Sequence, residues 1–199
     1  MLINPVPVAR KTVFESPWTR LEAVEVAGVS QPYYRLVEPP GVVCVVISAT
    51  GDFVMVRQPR PAIESYTLEF PAGSIDADET PEEAARREVR EETGMDVAAL
   101  ACVGVLHPIP NRMHCLQRLF IAVATPDTGA RTQDPHTEAK IVPRRDFCAL
   151  MRREGTHCIV AIGAIKLAEL HWSLDLFTAP VGTISRAIAA ANASPERIC

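Results

Sequence analysis

A helix with both of its ends spelled out lies within residues 73–95, GSIDADETPEEAARREVREETGM, and the other elements have to be placed around it. Thr80 suits the capping position, Pro81 the first helical position, and Glu83 completes a capping box with Thr80. Gly94 is the expected stop. Ala85 and Val89, four apart, share one face and point toward whatever the helix packs on. Glu88, Glu91 and Glu92 stand at i, i+3 and i+4, with Glu88 and Glu92 flanking that stripe. Carboxylates this close repel one another and weaken a helix. A solvated face explains most charge on a helix, but it does not explain acids beside a buried stripe. The simplest compensation is a hard divalent cation held by carboxylate oxygens.

Strand-like segments lie on both sides of this helix. Residues 11–14, 18–26 and 33–37 are short β-branched or aromatic runs, broken by Pro17, Gly28 and Pro32. They predict a small antiparallel sheet. Pro39-Pro40-Gly41 marks a boundary. Residues 42–47 are apolar throughout and read as a buried strand, with 53–57 as its hairpin partner. Further strands are expected at 66–70, 97–106, 116–124 and 139–142, with loops at 107–111 and 125–137. Helices are expected at 146–153, 157–170 and 182–191. This order predicts an α+β chain: an α/β/α sandwich with a mixed sheet, preceded by the small N-terminal antiparallel sheet. Residues 1–40 then form a β subdomain and 41–199 the main domain. The lack of βαβ repetition argues against a Rossmann arrangement, and the lack of G-x-x-x-x-G-K-[ST] excludes a P-loop.

Bulk properties remove other classes of function. The chain of 199 residues carries a net charge of −4 and no long basic run, which argues against a nucleic-acid partner. No apolar stretch is long enough to cross a bilayer, and residues 1–11 lack the apolar run of a signal peptide. A cytoplasmic protein without a membrane partner is expected. None of the six cysteines (Cys44, Cys102, Cys115, Cys148, Cys158, Cys199) shows zinc-pair spacing. Buried thiols in a reducing compartment are expected, with the terminal Cys199 open to solvent.

Gly73, then Glu79 after five residues, then after seven more Arg87-Glu88-Val89-Arg90-Glu91-Glu92-Thr93-Gly94-Met95, fill every fixed position of G-x5-E-x7-R-E-U-x-E-E-x-G-U, where U is apolar. On this motif the chain resembles the Nudix hydrolases. The resemblance implies the Nudix fold and cleavage of a nucleoside diphosphate linked to another moiety, using Mg²⁺ or Mn²⁺ and water. It implies that Glu88 and Glu92 ligate metal, with Glu91 a ligand or catalytic helper and the Ala72 backbone carbonyl a further donor. Gly73, Glu79 and Arg87 would support the box. Gly73 is expected where the backbone turns sharply, and Glu79 and Arg87 as a brace between loop and helix. The chemistry agrees, since divalent ions neutralise a pyrophosphate and activate water, and oxygen-only ligands suit Mg²⁺ or Mn²⁺.

The box is silent on substrate, so the flanks have to supply it. Val56-Arg57-Gln58-Pro59-Arg60 and Leu68-Glu69-Phe70-Pro71-Ala72-Gly73 resemble the ADP-ribose pyrophosphatase group, as does Pro110 downstream. ADP-ribose or a related nucleoside diphosphate sugar is the implied substrate. GDP-mannose, a dinucleoside polyphosphate and an oxidised nucleoside triphosphate are the alternatives. Arg57, Arg60 and Glu69 are the expected substrate-side residues, since Arg forks onto phosphate. The segment Pro110-Asn111-Arg112-Met113-His114 departs from the group, which often has glycine and acids after the proline. Arg112 and His114 either meet phosphate or sugar, or sit in an exposed loop. Some members of the group supply a catalytic base from a loop after the sheet. Asp134 and Glu138 fall there, and Glu138 is favoured, alongside Glu91. Trp18 either stacks on a base or packs in a core or dimer seam. The group usually forms homodimers through its N-terminal sheet, a part that residues 1–40 fit. A non-catalytic nucleotide-sugar-binding regulator on the same scaffold is the competing reading. The intact acids and the lack of a helix-turn-helix speak against it.

Overall fold

Seven consecutive small or apolar residues, Gly41–Ile47, are satisfied only inside a protein, and in the computed structural model they form a strand buried along its whole length. The structure describes residues 6–126, 135–154 and 159–194. In chain order the elements are β1 (Pro7–Glu15), β2 (Arg20–Val26), β3 (Tyr33–Val37), β4 (Gly41–Ile47), β5 (Phe53–Arg60), β6 (Ser65–Glu69) and β7 (Ala72–Ser74). There follow α1 (Pro81–Thr93), β8 (Val97–Leu106), β9 (Met113–His114), β10 (Gln117–Ala124), β11 (Glu138–Val142), α2 (Phe147–Glu154), α3 (Ile159–Trp172) and α4 (Val181–Ala193). This is the α+β arrangement that the order of sequence patterns predicts.

Two compact units are formed: Met1–Pro40 with Leu106–Gln117, and Gly41–Val105 with Arg118–Cys199. The first holds a sheet in the order β1-β2-β3-β9. Its first three strands are antiparallel, but β9 runs parallel to β3. The Leu36 N–H donates to the Arg112 carbonyl at 2.9 Å, and the Glu38 N–H to the His114 carbonyl at 3.2 Å. A segment that reads as connecting chain is thereby a strand, and the sheet is mixed rather than purely antiparallel. Glu22, buried on β2, takes Arg20 and Arg35 on its two carboxylate oxygens. Trp18 is 80% exposed, so it fills no core position here.

The second unit carries the sheet β11-β5-β4-β10-β8, with β6 pairing β5 and β7 pairing β4. Alternation along β4 and β5 divides the sheet into two faces. Val42, Cys44, Val46 and Val54 meet Ala84, Ala85 and Val89 of α1 on one. On the other, Phe53 packs edge-on against Phe70, Phe147 and Phe177. The helix α3 also packs on β4.

Cys44 and Cys115 are buried free thiols, as expected, whereas Cys148 is exposed on α2. Cys102 corrects the expectation further: it is disulfide-bonded. Cys158 and Cys199 lie outside those residues. Among the described residues no helix is long and apolar enough to cross a membrane.

Candidate active site

The position of every box side chain follows from where α1 starts. Thr80 Oγ1 accepts from the Glu83 N–H at 3.3 Å, and the Thr80 N–H donates to Glu83 Oε2 at 2.8 Å. At the other end Gly94 adopts φ 75°, and its N–H donates to the Arg90 carbonyl. With both ends fixed, Ala85 and Val89 turn fully inward, and Glu88 and Glu92 come to lie at the margin of that stripe.

Glu92 is 7% exposed and accepts the Ala72 N–H at 3.2 Å. Burial pushes its carboxyl up to about 8; repulsion from Glu88 and Glu69 adds to this, and the Ala72 N–H and the Arg60 charge oppose it. Burial likewise raises Glu88, against a hydrogen bond from Arg87. Arg87 is the hub of the helix face. Its Nε and Nη2 both reach the Glu79 carboxylate at 2.9 Å, and Nη2 also donates to the Ser74 carbonyl at 2.8 Å. Its Nη1 meets Glu88 Oε1 at 2.7 Å and Glu91 Oε2 at 3.2 Å.

Gly73 is required for a reason different from the expected sharp turn. It sits in β7 opposite Val42, whose side chain faces α1. A Cβ there would lie 2.0 Å from Glu88 Oε1 and 2.2 Å from Glu88 Cδ. The absence of a side chain is what lets the Glu88 carboxylate rest against the strand.

The substrate-side candidates divide by sheet face. In the β5–β6 register Val56 faces Glu69, Gln58 faces Thr67 and Arg60 faces Ser65. Glu69, Thr67 and Arg60 therefore project to the α1 side. Arg60 grips Glu69 through Nε to Oε1 at 2.8 Å and Nη2 to Oε2 at 2.9 Å. Arg57 and Glu138 are register partners across β5 and β11 and project to the opposite side. There Arg57 lies 4.3 Å from the Tyr66 ring centroid, and Glu138 meets Lys140 Nζ at 2.5 Å. A hollow of about 710 Å³ lined in part by Arg57, Tyr66, Glu138, Lys140 and Leu150 opens there. Glu138 begins a strand and does not stand in a loop, and Asp134 lies outside the described residues. Arg112 belongs to the first unit, where its guanidinium lies 5.7 Å from the Tyr33 ring centroid, and His114 stacks on His107.

Thr67 and the Ser74 carbonyl are parts of the site that the motif does not name. Thr67 was recoverable from alternation, being two residues before Glu69 on the same strand. The Ser74 carbonyl had no signal, since a backbone oxygen leaves no trace in residue identity.

The donor set fits a divalent cation. Glu92 is buried and Glu88 half-buried, desolvation raises both carboxyls, and every donor offered is oxygen. Among the described residues, no three His, Cys, Asp or Glu side chains form a ready-made cage. Arg87 gathers Glu88 and Glu91 toward itself, and Mg²⁺-type sites normally use few carboxylates, completed by water and substrate phosphates.

A family model described as "NUDIX domain" matches residues 37–159, more than half of the chain. The chain belongs to that family, whose hydrolases generally need divalent metal ions. It is 30% identical over 118 residues to the ADP-ribose pyrophosphatase of Bacillus subtilis, covering 58% of this chain and 64% of the relative. It is 30% identical over 145 residues to the ADP-sugar pyrophosphatase of Mus musculus, covering 73% of this chain and 63% of the relative. The chain thus spans a little under two thirds of the length of these curated relatives. A crystal structure of an ADP compounds hydrolase superposes with a TM-score of 0.68 at 23% identity, covering 85% of this chain and 96% of that one, which establishes the shared fold.

Proposed function

We propose that this protein is a metal-dependent pyrophosphohydrolase of ADP-ribose or a related nucleoside diphosphate sugar, releasing a nucleoside monophosphate and a sugar phosphate. The observation that carries this is the pair of carboxylates on one helix face, buried Glu92 and half-buried Glu88, with the Arg60–Glu69 pair projecting to the same side of the sheet. The names of the Bacillus and mouse relatives support the substrate class, because those alignments extend well beyond the box. Glu88, Glu92 and the Ala72 carbonyl, with Glu91, would hold Mg²⁺ or Mn²⁺. The ion supplies charge neutralisation on the diphosphate and a more acidic water. Arg60 meets a phosphate oxygen, and Glu69 sets its plane. Glu91, the most exposed of the three box carboxylates, receives the proton of the attacking water; it shares the helix face with Glu88, whereas Glu138 projects to the other side of the sheet. We place the protein in the cytoplasm as a homodimer; the Cys102 disulfide is the feature that departs from a reducing compartment's usual pattern.

The test is a panel of nucleoside diphosphate sugars and dinucleoside polyphosphates incubated with protein and Mg²⁺ or Mn²⁺, with products resolved by chromatography. ADP-ribose is expected to yield AMP and ribose 5-phosphate. Glu92→Gln is expected to cut turnover roughly 10³-fold with the fold retained, by analogy with loss of one preorganised charge-stabilising group. Tight binding with no turnover of any member would favour the regulatory reading instead.

A further inference from the structure

We propose that Thr67 is a positioning residue for substrate binding: its buried hydroxyl fixes the Glu69 carboxylate, and Glu69 in turn aims the Arg60 guanidinium. This rests on the reading of the site as one that takes a diphosphate. Thr67 is 3% exposed and stands directly across from Gln58 in the β5–β6 register. Its Oγ1 donates to Glu69 Oε1 at 2.5 Å and lies 3.5 Å from the Gln58 carbonyl. The same Oε1 accepts Arg60 Nε, and Oε2 accepts Arg60 Nη2. The Thr67 hydroxyl and the two Arg60 nitrogens are thus among the donors that set the plane of this carboxylate. A two-point fork passes that plane on to the guanidinium, because both groups are flat and the paired bonds forbid rotation.

The exposure gradient gives the chain of contacts a direction. Thr67 is buried, the Glu69 side chain is 14% exposed and the Arg60 side chain is 43% exposed. The anchored end is inside the sheet and the cationic end reaches solvent on the α1 side, where Glu92 lies. A carboxylate as enclosed as Glu69 is costly unless its oxygens are hydrogen-bonded. Without the Thr67 donor, Glu69 gains by turning toward other donors, and the fork turns Arg60 with it. The diphosphate then meets a cation in the wrong orientation. Thr67 itself bonds to Glu69 and the Gln58 carbonyl and to no box carboxylate, so the loss falls on binding.

Thr67→Val keeps the branched shape and removes the donor, whereas Thr67→Ser keeps the donor. Two readouts are needed: KM and kcat for ADP-ribose hydrolysis with Mg²⁺, and binding of ADP by calorimetry, which involves no turnover. Thr67→Val is expected to raise KM and weaken ADP binding about tenfold, the effect of losing one hydrogen bond to a charged group, with kcat within about twofold. Thr67→Ser is expected to restore both, with an unchanged melting temperature. Should Thr67→Val not fold, Thr67→Cys, similar in size with only a weak donor, carries the comparison. Unaltered ADP binding in the donor-less variant, a fall in kcat alone, or failure of Ser to restore binding would each overturn the proposal. A parent that hydrolyses ADP-ribose while the variants bind ADP normally removes the positioning role and leaves the hydrolase. A parent that hydrolyses nothing, but whose ADP affinity follows the hydroxyl, removes the hydrolase and leaves the positioning role.

Discussion

Gly73 and Glu88 illustrate what a single position has to satisfy. The motif requires a glycine fifteen residues before a glutamate, and residue identity alone suggests a backbone turn. The actual constraint is contact: Gly73 lies in a strand, and the carboxylate of Glu88 occupies the space where a Cβ would be. Gly73→Ala forces Glu88 or β7 to move. Because a shift of about 1 Å at a reacting group costs about 10²-fold, turnover is expected to fall by that order, measured with Mg²⁺ under saturating substrate. Full turnover in the alanine variant would show that Glu88 does not need its present position. The identities of Glu88, Glu91 and Glu92 were plain from their spacing. Their unequal environments were not, because burial depends on what the sheet brings against each one.

Among the elements, α1 was the most legible, since its cap, first-turn proline, apolar stripe and terminal glycine are all local signals. The loop before it is held by the Glu79–Arg87 pair, which spans 8 residues of sequence. Hydrogen bonds from Arg87, helped by the Asp76 N–H, hold the Glu79 carboxyl below the ordinary carboxylate range. A depressed carboxylate stabilises the fold fully above its unfolded value and loses that contribution as pH falls through its folded value. Glu79→Gln is therefore expected to lower stability by about 1–2 kcal/mol at neutral pH, with the gap to the parent closing in acid. Urea unfolding of both proteins across pH checks this; a gap that persists at low pH would assign the loss to packing and not to charge. The strands were legible as runs but less so at their ends. β5 reaches Arg60, beyond the stretch that reads as a strand, because β6 supplies a partner for its second half.

For the whole molecule, the first unit exposes an unusual set of large apolar side chains, among them Val8, Val13, Phe14, Trp18, Tyr34 and Leu36. Every residue of β1 is exposed, and β1 is an edge strand. The proposed homodimer gives these groups a partner. The protein is expected to sediment as a dimer at micromolar concentration, and Phe14→Lys combined with Trp18→Lys is expected to yield a folded monomer. A parent that is monomeric at every concentration would remove the dimer. The sequence by itself determined the helix, its caps, the carboxylate face and the buried strand Gly41–Ile47, because each is written in the spacing of nearby residues. Only the tertiary structure decided that Met113–His114 joins the first sheet, that Gly73 yields space to Glu88, and that Arg57 and Glu138 face away from Arg60 and Glu69. Those facts depend on which distant strands pair and in what register, and a shift of one residue in register turns every side chain to the other face.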